Sequence, residues 1–216
     1  MLITISRQFG AGGAEVARRV AAELGWRVVD NELLDRIAER AGLPPEEVAD
    51  REETAPGFIE RLARALARSA PETFPPTAEE PPPEPAESHL VRVTETVVAE
   101  MAAESRVVLV GRAGAAVLGR SQDVLHVKVV APLRYRIEEV ARRGDTDLKG
   151  AEHLIRESDG NRVRYHKQYY QRDWNDASNY HMVLNTEALG LDGVTGLIVG
   201  RAKALWPNAT KERRKR

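Results

Sequence analysis

No cysteine occurs among the 216 residues, which excludes disulfide bonds, thiolate metal sites and a cysteine nucleophile together. Net charge is nearly absent as well. The 32 basic and 33 acidic side chains leave −1, so no global basic field points to nucleic acid. No apolar run approaches bilayer-spanning length, and the chain enters a strand at once with no basic-then-apolar leader, so a cytoplasmic protein is expected. His89, His126, His153, His166 and His181 are scattered without metal-ligand spacing, and neither HExxH nor a Ser-His-Asp grouping is present. Metallohydrolase and serine-hydrolase readings are set aside on that ground. The one local charge run, Lys211-Glu212-Arg213-Arg214-Lys215-Arg216, reads as a solvated end.

What the chain does have is concentrated at its start. Leu2-Ile3-Thr4-Ile5-Ser6 is a short β-branched apolar run, the pattern of a buried strand. It breaks into Arg7-Gln8-Phe9-Gly10-Ala11-Gly12-Gly13 and then into a helical stretch at 14–24. A strand, a Gly-rich turn and a helix in that order form an anion site, because converging backbone N–H groups and the helix N-terminus both favour phosphate. The complete phosphate loop reads G-x-x-x-x-G-K-[ST], its lysine reaching the β/γ-phosphates and its hydroxyl binding Mg2+. Aligning Gly12 with the second glycine puts Arg7 at the first glycine, Gly13 at the lysine and Ala14 at the hydroxyl. The motif is degenerate, and a ligand-free turn would look much the same.

The chain then returns through Trp26-Arg27-Val28-Val29 to Asp30-Asn31 and a helix at 31–41 that carries Arg36. Gly42-Leu43-Pro44-Pro45 stops it, and an amphipathic helix follows at 58–68. Residues 70–88 hold seven of the twelve prolines and predict an extended loop inserted within a domain. A helix at 89–103 leads to a strand at 106–110, ending at Gly111-Arg112. Further on come a short helix at 113–118, a strand at 124–130, and a helix opened by Pro132 and running to about 143. A charged helix at 148–171, a strand at 180–184 and a helix at 193–205 close the chain. Apolar strands alternating with helices predict a parallel sheet covered on both faces. Ligands of such sheets bind beyond the carboxyl ends of the strands. Functional residues are therefore expected just after Ser6, Val29, Val110 and Leu184, at Arg7 and the glycine turn, Asp30-Asn31, Gly111-Arg112 and Asn185-Thr186.

Asp30 either orients a substrate or a Mg2+-bound water, or N-caps the following helix, and both can hold. Arg36 points back toward the strand ends or makes a surface ion pair. Arg112, directly after a buried strand, favours the ligand crevice. The most charged constellation lies at 157–167 and includes Asp159, Arg162, Arg164 and Lys167. Phosphoryl transfer needs cations placed to neutralise charge on the transferring group, with water excluded. A helical segment bearing Arg162, Arg164 and Lys167 would supply them, with Arg134, Arg136, Arg142 and Arg143 as the other wall. On charge alone, a pair of solvated helices with i,i+4 ion pairs is the stronger reading. Tyr165, Tyr169, Tyr170 and Trp174 are expected to pack the segment down. The glycine spacing is not G-x-G-x-x-G, although Asp30 lies near the place of a ribose-binding acid, so a Rossmann-type oxidoreductase remains a minor rival.

Taken together, the chain resembles the cytidylate kinase-like family, a branch of the P-loop nucleoside monophosphate kinases that lacks the loop lysine. The resemblance rests on Ile3-Thr4-Ile5-Ser6-Arg7-Gln8-Phe9-Gly10-Ala11-Gly12-Gly13, Val29-Asp30-Asn31-Glu32-Leu33, Val108-Leu109-Val110-Gly111-Arg112 and Ala131-Pro132-Leu133-Arg134-Tyr135-Arg136-Ile137. Asp159 with Arg162 and Tyr165, Asp173-Trp174, and Ser178-Asn179-Tyr180 through Asn185-Thr186 complete it. It implies a three-layer α/β/α fold with a five-stranded parallel sheet in the order 2-3-1-4-5. It also implies one domain over 1–206, with a helical acceptor-binding insertion at about 31–104 containing the Pro-rich loop 70–88, a lid at about 144–172, and a basic tail at 207–216. The implied activity is ATP- and Mg2+-dependent phosphoryl transfer to a nucleoside monophosphate, CMP or dCMP, with small-molecule nucleotides as partners. By the same resemblance Arg7, Gly10, Ala11, Gly12, Gly13, Ala14, Glu15 and Arg136 bind ATP. Asp30, Arg36 and Arg112 bind the acceptor, and Arg162, Arg164 and Asp159 serve the transferring group, with no protein metal site. Two departures stand out. Cytidylate kinases carry a Gly-Arg-Asp triplet where this chain has Gly111-Arg112-Ala113, which leaves the cytosine preference open. Ala14 lacks the usual hydroxyl, so Mg2+ would be held mainly by phosphates and water. Two further readings remain, a kinase of another small hydroxyl compound on the same fold and, from Gly13 and Ala14, a nucleotide-binding regulator without chemistry.

Overall fold

The computed structural model describes residues 1–29, 86–111, 113–119, 121, 123–144 and 146–208. Five short strands build one sheet: β1 (Leu2–Arg7), β2 (Arg27–Val29), β3 (Val107–Val110), β4 (Val124–Val130) and β5 (Met182–Asn185). They are all parallel and lie in the order β2-β3-β1-β4-β5. β1 is central, with Leu2 to Ile5 opposite Val107 to Val110 on one side and Leu2 to Arg7 opposite Val124 to Val129 on the other. The runs of β1, β3 and β4 are buried on both faces over most of their length, as the interior of a parallel sheet requires, while the edge strands β2 and β5 are only partly buried. The helices are α1 (Gly13–Leu24), α2 (Ala86–Ala103), α3 (Gly114–Val117), α4 (Leu133–Arg143), α5 (Leu148–Tyr170) and α6 (Thr186–Leu205).

Side-chain alternation along each strand divides the interior in two. On one face Ile3, Ile5, Val108, Val110, Leu125, Val127 and Val129 form a core with Val16, Val20 and Leu24 of α1 and Val194, Ile198 and Ala202 of α6. The other face carries Thr4, Leu109, His126 and Lys128. α3 rests there on its glycine, since a Cβ on Gly114 would stand 2.9 Å from Leu109 and 3.2 Å from Thr4. His126 is a satisfied interior histidine. Its Nε2 donates to the Gly119 carbonyl at 2.6 Å, its Nδ1 accepts from Thr4 Oγ1 at 2.7 Å, and burial pushes its pKa below the ordinary value.

The closing helix differs from the expectation of a start at 193. α6 begins at Thr186, directly after β5, because the Asn185 side chain accepts from the amides of Glu187 and Ala188 at 3.0 and 3.4 Å. Gly190, at φ 67° and ψ 164°, interrupts it, which is why the helical pattern is hard to read over its first turns. α2 begins three residues ahead of the expected 89. The expected helices at 31–41 and 58–68, the Pro-rich stretch up to 85 and the tail from 209 lie outside the described residues.

α1 and α6 are fastened at their ends by Trp26 and Trp206, each 7 % exposed, with ring centroids 5.7 Å apart and planes tilted by 36°. Trp206→Ala is expected to lower the unfolding free energy by about 3–5 kcal/mol in urea titrations. A loss below about 0.5 kcal/mol, the size of an ordinary surface change, would show that the pair does not join the two helices.

Candidate active site

β1 ends at Arg7, and residues 8–12 carry the chain over the sheet edge to α1. Gly10 and Gly12 take φ of 79° and 77°, a region open chiefly to glycine. Behind Gly10 there is also no room, since a Cβ there would stand 2.8 Å from Val140 Cγ2 and 3.0 Å from the Arg136 carbonyl oxygen. Gly12 is the N-cap of α1 and brings no capping side chain. The first turn of α1 thus offers its amides and positive dipole end to an anion.

Neighbouring elements hold this loop through its peptide groups. From β4, Val129 accepts the Gln8 amide at 3.0 Å, and the Ala131 amide donates to Gln8 Oε1 at 3.1 Å. Arg136 of α4 donates from Nη1 to the Phe9 carbonyl at 3.0 Å and from Nε to the Ala131 carbonyl at 2.9 Å. Thr186 of α6 donates to the Ala11 carbonyl at 2.9 Å. From α5, Asp159 accepts the Phe9 amide on Oδ1 at 2.9 Å.

Asp159 is the junction. The same Oδ1 accepts from Arg162 Nη1 at 2.9 Å, and Oδ2 accepts from Arg136 Nη1 at 2.7 Å. Arg136 is 6 % exposed and Asp159 is half-buried, so this ion pair is largely desolvated on the arginine side and charge-assisted on both. One carboxylate therefore ties a loop amide to α4 and to the arginine-bearing face of α5. An anionic oxygen already occupies a loop amide, and Arg162 lies beside it. The first turn of α1 can receive a phosphate chain, and the Arg162 guanidinium is held at the Phe9 end of the same loop.

Residues 2–188 match the cytidylate kinase-like family. The chain belongs to that family. It is 28% identical over 212 residues to a cytidylate kinase of Natronomonas pharaonis, covering 96% of this chain and 92% of that one. A cytidylate kinase of Methanopyrus kandleri is 27% identical, with 86% and 84% of the two chains covered. Among solved structures, an uncharacterized protein from Eubacterium ventriosum has a TM-score of 0.67 at 18% identity, covering 94% of this chain and 99% of that one. A shikimate kinase from Bacteroides thetaiotaomicron has a TM-score of 0.51 at 13% identity, covering 96% and 98%. These two likenesses concern the fold. As a member of the family, the chain is a nucleoside monophosphate kinase-like phosphotransferase with a P-loop kinase fold. No helix among the described residues is long and apolar enough to cross a membrane.

The site residues expected for a family member fall into three groups. Arg7, Gly10, Ala11, Gly12, Gly13, Ala14, Arg136, Asp159 and Arg162 come together at the carboxyl end of the sheet. Arg136 does so from behind the loop, which it braces, with Nε and Nη1 engaged by the Ala131 and Phe9 carbonyls and by Asp159. Glu15 and Arg164 are not brought to the site by their side chains. Glu15 pairs along α1 with Arg18 at 2.9 Å and Arg19 at 2.8 Å, and the Arg19 hydrogen bond holds its carboxyl below the usual value. Arg164 is exposed and donates to Asn161. It lies two residues from Arg162, which on a helix means nearly opposite faces. Asp30, Arg36 and Arg112 lie outside the described residues.

Of the expected second wall of arginines, Arg136 lies buried behind the loop, while the other three form surface pairs. Arg134 joins Glu138 at 3.0 Å, and Arg142 and Arg143 join Glu139 at 2.7 and 2.8 Å. Asn185 and Thr186, expected at the ligand crevice, serve as helix cap and loop brace. The tyrosines pack as expected: Tyr165 meets Tyr169 and Tyr170 at centroid distances of 5.0 and 5.8 Å.

Lys128 was missed, although a lysine inside the otherwise apolar run at 124–130 is itself a signal. It is 2 % exposed and lies opposite Ser6 in the sheet. Its ammonium donates to the Trp174 carbonyl at 2.6 Å and to Asn175 Oδ1 at 3.1 Å, and stands 3.8 Å from the Trp174 ring centroid. Trp174 Nε1 in turn donates to Ser6 Oγ at 3.0 Å, and the Tyr180 hydroxyl donates to the Trp174 carbonyl at 2.9 Å. The segment after α5 is thereby pinned under the site. Burial pushes Lys128 down to about 8, with Asp159 and Asp173 opposing that shift and Arg162 adding to it. Burial, followed by the charges of Lys128, Arg172 and Arg162, pushes His166 down to about 4, so its ring is neutral near pH 7.

Asp159→Asn leaves the buried Arg136 guanidinium without its counter-charge, and a loss of about 3–5 kcal/mol in chemical unfolding is expected. Wild-type stability at this substitution would show that the junction is not needed to hold the loop. Lys128 yields a pH test. Its folded pKa of about 8 lies below the ordinary 10.5, so between those values the unfolded chain binds more protons and stability rises with pH. The cost of charging the buried amine is fully present below about pH 8 and is relieved toward 10.5. The stability difference between Lys128→Met and wild type should therefore shift in favour of wild type as pH rises from about 8 to 10. A pH-independent difference would show that the ammonium is not penalised by burial.

Proposed function

We propose that this kinase transfers the γ-phosphoryl group of Mg2+-ATP to a nucleoside monophosphate, with CMP or dCMP as the acceptor. The observation that carries the reading is the Asp159 junction, which holds Arg162 beside an amide of the phosphate loop. Residues 1–206 act as one domain in this reading, with 31–104 receiving the acceptor and 144–172 serving as the lid. The loop amides of residues 10–14 take the donor phosphates, while Asp30, Arg36 and Arg112 hold the acceptor. The names of the Natronomonas and Methanopyrus relatives support cytidine over other bases.

The chemistry asks little of the protein beyond positioning and charge. An oxygen of the acceptor monophosphate attacks the γ-phosphorus in line while the bond to the β–γ bridging oxygen breaks and ADP leaves. A phosphate monoester loses its second proton near pKa ~6, so at neutral pH the nucleophile needs no general base. That suits the structure, where Asp159 is engaged by three donors. A hydroxyl acceptor would need a base there, which favours a monophosphate over the alternative small alcohol. Arg162 supplies charge to the transferring group. Ala14 has no hydroxyl to offer, and among the described residues no three His, Cys, Asp or Glu side chains gather as a metal site. Mg2+ fits this chain as part of the donor, carried on the ATP phosphates and water.

Coupled ADP release, checked by 31P NMR, across CMP, dCMP, UMP and AMP should show turnover that is fastest with a cytidine nucleotide. Binding of Mg2+-ATP without transfer to any of the four would rule the reading out and leave a nucleotide-binding regulator. Arg162→Ala should lower kcat by about 10²–10³ while changing ATP affinity far less, because a charge realised on the transferring group acts mainly in the transition state. Equal losses in both would place Arg162 in ground-state binding alone.

A further inference from the structure

The two departures from the ordinary phosphate loop are one event. Where that loop has glycine at the strand end and lysine at the helix start, this chain has Arg7 and Gly13. The two positions share a single volume. A Cβ on residue 13 would collide with Arg7 Cβ and stand 2.9 Å from its Cγ and 3.7 Å from its Cδ. Arg7 Cβ is fixed by the β1 main chain, in register with Val129, so it cannot swing aside as the end of a long side chain would. Only one of residues 7 and 13 can carry a side chain across this slot. Farther out, a Cβ on Gly111 would collide with Arg7 Nη1 and stand 3.3 Å from Cζ. The arginine runs from the end of β1, over the first residue of α1, to the end of β3, along a path cleared by two glycines.

We propose that Arg7 is the phosphate-binding cation of this loop, delivered from the strand instead of the helix, and that Gly13 exists to let its stem pass. The inference rests on the proposed function in that it takes the loop to bind a nucleoside polyphosphate. The ligand class is the β/γ portion of that chain. A guanidinium is planar, permanently charged and able to fork two phosphate oxygens, whereas the lysine ammonium it replaces is a point charge. Its head lies over the carboxyl end of β3, which neighbours β1 on the side away from β4.

Calorimetric titration of the full chain with inorganic tripolyphosphate and with Mg2+-ATP tests this without knowledge of the acceptor. Arg7→Met keeps the stem and removes the charge, and should weaken tripolyphosphate binding by at least about tenfold with little change in melting temperature. Gly13→Ala should weaken binding in the wild-type background by displacing the stem, yet cost less than about twofold in an Arg7→Gly background, because neighbours sharing one volume are not additive. The double variant R7G/G13K should recover most of what R7G loses. Binding by R7M within about twofold of wild type, or an equal cost of G13A in both backgrounds, overturns the inference. So does a folded R7G/G13K that binds no better than R7G. Wild-type turnover alongside any of these leaves the proposed function standing. Tripolyphosphate binding that depends on Arg7, with no transfer to any monophosphate, overturns the proposed function alone. Wild-type protein that binds neither probe overturns both.

Discussion

The buried pairing of Arg136 with Asp159 is the interaction on which the active-site end of the molecule depends. A loop of glycines and alanines has no side chains with which to hold its own shape, and glycine loses the most conformational freedom on ordering. Its geometry must come from outside. Arg136 meets the Phe9 carbonyl on one side and Asp159 on the other, and Asp159 reaches the Phe9 amide. The loop is thus held at both the amide and the carbonyl of Phe9 by largely buried charges, where hydrogen bonds are stronger and their loss more costly. β4 and α6 complete the frame through Gln8 and Thr186.

The same pair couples the two helices that follow β4. α4 supplies the arginine and α5 the aspartate, so the face of α5 bearing Arg162 is set relative to the loop by one carboxylate. The far end of α5 is secured differently, through a lysine buried on β4 beneath Trp174 and beside Ser6. In the ordinary phosphate loop one lysine serves as the local cation. Here positive charge converges from the strand end at Arg7, from α4 at Arg136 and from α5 at Arg162. Such an arrangement depends on tertiary structure more than a self-contained motif does.

Much of the fold was legible because burial leaves a periodic mark. The runs at 2–6, 106–110 and 124–130 are predominantly apolar, with Thr4, Ser6, Arg106, His126 and Lys128 as the exceptions, a pattern that suits a two-sided sheet, and all three became adjacent strands. The start of α6 was not legible. Its helical signal is broken by Gly190, and its true onset is set by the Asn185 side chain. Arg162 and Arg164 looked equivalent in a charged stretch, and only the helix phase separates them, one toward Asp159 and the other toward solvent. Glu15 and Arg136 are assigned to ATP only by the family resemblance. Their partners, Arg18 and Arg19 for one and the Phe9 carbonyl with Asp159 for the other, lie on faces that spacing alone does not resolve. Lys128 left a clear mark, a charge in a buried run, that was passed over.

The amino-acid order by itself determined the succession of strands and helices, the parallel sheet and the place of the phosphate loop. These follow from local hydrophobic periodicity and from glycine at the turn, which act over a few residues. What only the tertiary structure decided is which charges face one another: Arg136 with Asp159, Lys128 with Trp174, and the stem of Arg7 across Gly13. The first two join residues far apart in the chain and the third joins a strand end to the helix that follows it, and their energies depend on desolvation and on distances of a few ångströms, which no linear pattern encodes.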